Sequence, residues 1–105
     1  MNNEELVNIL KTSKESLQND GIEIVGIAGS YARGDYTQES DIDILYEIPN
    51  PDEFARKNGG FGAFSKLEEI KKSLEDRLGK KVDLIAKSAL NEIGKKYILR
   101  DLRYV

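Results

Sequence analysis

Residues 27–47 read IAGSYARGDYTQESDIDILYE and hold two glycines, a serine, an arginine and an Asp-Ile-Asp triplet between two apolar runs. Whether DIDILYEI (41–48) is a buried strand decides the fold. If it is, two carboxylates sit one residue apart inside it. Taking two like charges out of water is costly unless a positive partner stands near. No lysine or arginine lies between Gly34 and Pro49, so a bound metal ion is the natural partner.

Residues two apart on a strand point to the same side and lie about 6.8 Å apart. Asp41 and Asp43 therefore share one face, and Ile42, Ile44 and Tyr46 occupy the other. Carboxylates so spaced can converge on one or two divalent ions, which in paired sites lie about 3.5–4 Å apart. Hard oxygen ligands select magnesium or manganese over zinc. A third carboxylate must come from a neighbouring strand. Asp83 is the acidic residue inside the next β-rich run, between Val82 and Leu84. Its alternative reading is a strand-edge acid facing solvent.

Upstream of the carboxylates, Gly29 and Ser30 follow the apolar run IEIVGIA (22–28) directly. Glycine lets backbone approach a ligand closely, and free amides at the start of a helical turn bind phosphate oxygens. Arg33 either adds a cation beside such phosphates or pairs with Asp35. Rival readings of the same residues fail. A calcium loop needs Asp or Asn and then glycine where Leu45 and Tyr46 stand. Gly29 and Gly34 have Walker spacing, but Asp35 and Tyr36 replace the lysine and hydroxyl. Gly60-x-Gly62 begins a dinucleotide fingerprint, yet Ser65 fills the third glycine position and no strand precedes it.

The rest of the chain supplies a frame. At 105 residues it is read as one domain, residues 1–105. Residues 3–18 form an amphipathic helix, with Leu6, Ile9, Leu10, Ser13 and Leu17 on one stripe, started by Asn2 or Asn3 and stopped by NDG (19–21). PNP (49–51) ends the second strand, and 52–62 reads as a loose loop. Residues 65–78 form a helix, with a Ser65/Glu68 capping box and Phe64, Leu67, Ile70, Leu74 and Leu78 along its inner face. KKVDLIAK (80–87) is the third strand, 89–100 a last helix, and LRYV a short closing strand. The expected fold class is α/β, of the α+β kind: a small mixed sheet with helices packed on it, its first two strands antiparallel.

Composition narrows the chemistry. The chain has no cysteine and no histidine, which excludes thiol nucleophiles, thiolate or imidazole zinc sites and a histidine base. A net charge of −3 argues against a protein that lives on nucleic-acid backbone. No membrane span and no signal peptide is legible. The expected location is cytoplasmic.

With these residues in hand, the stretch GSYARGDYTQESDID (29–43) resembles the motif of the polymerase-β-like nucleotidyltransferase superfamily. That motif runs Gly-Ser-x-Ala-x-Gly, five residues, then Ser-Asp-x-Asp-Leu. Gly29, Ser30, Ala32, Gly34, Ser40, Asp41 and Asp43 match it, and Ile44 stands in for the leucine. The chain's size resembles the minimal nucleotidyltransferases, antitoxins paired with HEPN-domain toxins. The resemblance implies a polymerase-β-like nucleotidyltransferase fold, catalysis and metal binding by Asp41, Asp43 and Asp83 with two Mg²⁺ ions, and ATP as substrate. It implies nucleotide contacts by Gly29, Ser30, Arg33 and Ser40. It also implies transfer of AMP to a hydroxyl, expected to be a tyrosine, of a HEPN toxin encoded nearby. The alternatives are an interaction protein that silences a toxin by binding alone, and an enzyme acting on a small molecule. Small-molecule relatives carry an extra helical domain that this chain lacks.

Overall fold

The central strand is the one the Asp-Ile-Asp triplet opens. In the computed structural model, which describes residues 2–60 and 62–105, β2 (Ile42–Glu47) lies between β1 (Glu23–Ala28) and β3 (Val82–Ala86). β1 pairs antiparallel with β2, and β2 pairs parallel with β3. A two-residue strand, β4 (Arg103–Tyr104), pairs antiparallel with β1, giving the order β3-β2-β1-β4. The sheet is mixed, as the sequence led one to expect.

Helix α1 (Asn3–Asn19) begins where Asn2 accepts a hydrogen bond from the Glu5 amide. Its stripe of Leu6, Leu10 and Leu17 is buried with Ile24, Ile27, Ile42 and Ile44. Ser13, on the same stripe, is buried without strain because its hydroxyl donates to Ile9 O at 2.9 Å and accepts from Arg77. Helix α4 (Gly62–Leu78) adds Ile70, Leu74 and Leu78 to this core. Ile24 and Ile27 both reach the core although three residues apart, because the pairing of β1 with β2 shifts register between Ile24 and Gly26. Such a bulge absorbs one residue and turns the next onto the other face.

Four sequence expectations are corrected. Residues 52–57 of the expected loose loop (52–62) are instead helical, within α3 (Pro51–Lys57). Asn50 caps it by accepting from the Glu53 amide, Pro51 sits in its first turn, and Phe54 is buried. The Asn-Pro pair that stops β2 therefore also starts a helix. The Ser65/Glu68 capping box is not formed, because α4 already runs from Gly62. Phe64, expected on the inner face, is 74% exposed. After β3 a single 3₁₀ turn (Lys87–Ala89) precedes α5 (Glu92–Asp101), which Asn91 caps through the Gly94 amide. α5 thus starts three residues later than expected.

Candidate active site

Four sequence-predicted residues meet where β1 ends and β2 and β3 begin. Asp43 stands opposite Ala28 on one side and opposite Asp83 on the other. The inference that a third carboxylate comes from a neighbouring strand thus finds Asp83 in register with Asp43. Leu84, the next residue, packs toward the core, so the strand turns Asp83 to the opposite face. Asp41 lies exposed just before β2. It shares the site with Asp43 from the loop end and not from within the strand.

The electrostatics of Asp43 report this crowding. Its carboxyl is pushed above the ordinary carboxylate range, first by burial, then by the charges of Asp83 and Asp41, with a hydrogen bond to Asp83 adding to the rise. Arg33 opposes the shift from across the site. Two neighbouring acids that raise the pKa of a third mark a place where a cation would be welcome. The all-oxygen donor set fits a hard divalent ion. Among the described residues, no three acidic side chains are yet drawn together tightly enough to grip one.

Helix α2 (Gly29–Arg33) leaves β1 without a linker. Its N-cap is Ala28, which offers no side-chain acceptor to the first-turn amides. Gly29 has φ +67°, and a Cβ there would overlap the Asp43 carboxylate. Backbone freedom and bare space are both needed at this one position, so glycine is required twice over. Gly34, at φ +85°, ends the helix by donating its amide to Ser30 O at 2.9 Å.

Two predicted nucleotide-binding residues have other partners. Arg33 Nε donates to Asp35 Oδ2 at 3.2 Å, an exposed ion pair. Its reach to Asp43 is therefore through space. The Ser40 hydroxyl accepts from the Thr37 amide at 2.9 Å while its own amide donates to Thr37 O at 3.1 Å. Ser40 thus closes the turn that delivers Asp41.

The sequence offered no signal for how α2 is held. Asn3 Nδ2 donates to Tyr31 O at 2.7 Å, tying the start of α1 to α2. The buried ring of Tyr31 stacks on Tyr36 with centroids 4.3 Å apart and planes 7° off parallel. Helix α5 packs beside α2 and β1.

The nucleotidyltransferase domain family matches residues 6–105. MJ1379 of Methanocaldococcus jannaschii, a candidate protein adenylyltransferase, is 41% identical over 103 residues, 96% of this chain and 95% of its own. The protein adenylyltransferase MntA of Thermococcus cleftensis is 36% identical, over 97% of this chain and 94% of its own. Among solved structures, a candidate minimal nucleotidyltransferase superposes with a TM-score of 0.77, covering 100% of this chain and 97% of its own at 23% identity, a likeness of fold. The chain belongs to the nucleotidyltransferase domain family and is a nucleotidyltransferase, with the fold of a minimal nucleotidyltransferase.

Proposed function

We propose that this nucleotidyltransferase is a magnesium-dependent protein adenylyltransferase that moves AMP from ATP to a tyrosine hydroxyl of a HEPN-type toxin and so acts as its antitoxin in the cytoplasm. The observation that carries the reading is the in-register pair Asp43 and Asp83 beside the Cβ-free backbone of Gly29. The names of the relatives support a protein as acceptor. Magnesium held by Asp41, Asp43 and Asp83 would supply charge neutralisation on the phosphates. The chain's own residues do the rest. First-turn amides of α2 hold the terminal phosphates. A carboxylate oxygen of Asp83 takes the proton of the attacking hydroxyl. The O–H bond breaks, the hydroxyl oxygen bonds to the α-phosphorus, and the bond to the β-phosphate bridge breaks as pyrophosphate leaves with its electron pair.

The test uses purified protein, ATP, Mg²⁺ and the helical protein encoded beside it, with intact-mass spectrometry of that partner. The partner should gain mass in whole adenylyl steps, and an Asp41→Ala/Asp43→Ala double variant should abolish the gain. A partner left unmodified but still silenced, by wild type and variant alike, would mean neutralisation by binding alone.

A further inference from the structure

We infer that Tyr36 is a positioning residue, whose ring, stacked on that of Tyr31, holds the turn that delivers Asp41 to the site. The inference rests on the proposed metal role of Asp41 and adds what keeps that side chain in place. Asp43 and Asp83 need no such help, because the ladder between β2 and β3 fixes them in register. Asp41 precedes the ladder and is exposed, at the end of a segment (34–41) that is neither helix nor strand. Ordering such a segment costs backbone entropy at every residue. A metal ligand carried on it is held in productive geometry only where other contacts have already fixed the chain.

Among the described residues, the ties along this segment are unequal. Gly34 and Asp35 donate their amides to Ser30 O at 2.9 and 3.1 Å, which ends α2 but does not direct the chain beyond it. The bonds of Thr37, Glu39 and Ser40 are with one another, so they shape a turn without attaching it to the body. Lys80 Nζ donates to Gln38 O at 2.6 Å, from the end of a long rotatable stem. Tyr36 is the segment's attachment to the core. Its half-buried ring lies on Tyr31 in the near-parallel stack, a flat contact between two rigid groups. Tyr31 is a firm base for it, 2% exposed and the buried residue of α2, with its carbonyl held by Asn3 of α1. The stack thus joins the turn bearing Asp41 to the same helix that begins at Gly29 against Asp43.

The experiment titrates the whole chain, free of nucleotide, with Mn²⁺ and follows the unbound ion by electron paramagnetic resonance. Tyr36→Ala should weaken Mn²⁺ binding about tenfold, the loss expected when a metal ligand's support is removed. Tyr36→Phe keeps the ring and should bind as wild type does. Tyr36→Leu fills the space without a plane to stack; it should fall between them, and it replaces Tyr36→Ala if that variant does not fold. On an Asp41→Ala background, where Asp43 and Asp83 still offer ligands, Tyr36→Ala should weaken binding no further, because its effect runs through the missing carboxylate. With ATP present, Tyr36→Ala should raise the Mg²⁺ needed for half-maximal turnover and leave the KM for ATP little changed. Equal Mn²⁺ affinity in wild type, Tyr36→Ala and Tyr36→Leu overturns the inference and leaves the metal role of Asp41 standing. The full loss repeated on the Asp41→Ala background also overturns it, as general loosening of the chain. A wild type that binds no Mn²⁺ at millimolar ion overturns the metal role with it.

Discussion

At Gly29 one atom decides the site. Any side chain there meets the Asp43 carboxylate and is forced into positive φ. Gly29→Ala should displace Asp43 or α2, and an ångström-scale misplacement costs about 10²-fold in rate. The variant should still fold, with a lowered melting temperature; unaltered turnover in a well-folded variant would remove α2 from the site. Asp43 gives a second prediction, through pH. Its folded pKa is raised above the unfolded value of about 3.9. The native state therefore holds this proton more tightly than the unfolded chain, and stability falls as pH rises from the unfolded pKa through the folded one. Asp43→Asn removes that loss. Without metal, the variant should melt higher than wild type at pH 7, with the difference closing below about pH 4. Added Mg²⁺ should reverse the order by stabilising wild type alone. Equal melting curves across this pH range would mean that the three carboxylates do not repel. The seven motif residues were legible because type and spacing carry their chemistry. Ser40 was legible as a member of the motif but not in its contacts, and Arg33 only as a choice between phosphates and Asp35, since one sequence does not say which neighbour a hydroxyl or guanidinium will choose.

Among the elements, β1, β2, β3 and α1 were readable from period and punctuation, and β4 from four closing residues. α3 was not, because Asn50–Pro51 serves both as strand stop and as helix start. The bulge in β1 was hidden too, since a register shift is set by the partner strand. Gly26 sits at that bulge and faces β4, where an added Cβ would strike the Arg103 carbonyl. β4 is two residues long and has few other ties: Val105 N to Val25 O at 3.2 Å, and Lys14 Nζ to Val105 O at 2.8 Å. Gly26→Ala should therefore detach β4 and loosen α5, which precedes it. In hydrogen exchange the amides of 103–105 should lose protection while β2 and β3 keep theirs. Loss spread evenly over all strands would mean that β4 is part of the cooperative core.

For the whole molecule, the core side of the sheet carries α1 and α4, and the carboxylates stand on the other side at one end. A rival ligand site exists at the opposite end. There a hollow of about 250 Å³ is lined by residues such as Asp20, Gly21, Asn50, Glu53 and Phe54. Its walls bring Asp20, Glu23 and Glu53 toward a guest, and its lysine, Lys57, pairs with Glu53 at 3.5 Å. A triphosphate should refuse it. Mg²⁺ and ATP at about a hundred times the dissociation constant should stabilise the fold by about 2.7 kcal/mol, a rise of roughly 4–8 °C for a chain of this size. The local pattern of that gain is the sharper measurement. Amides of α2 and the first residues of β2 and β3 should slow their exchange when Mg²⁺ and ATP are added. Those of α3, which open by local fluctuation at the far end, should exchange as before. Protection centred on α3 and the turn at 19–21 would move the nucleotide to the far hollow and leave the aspartates without a substrate. Protection at 29–34 and 42–44 ties both halves of the motif to one ligand.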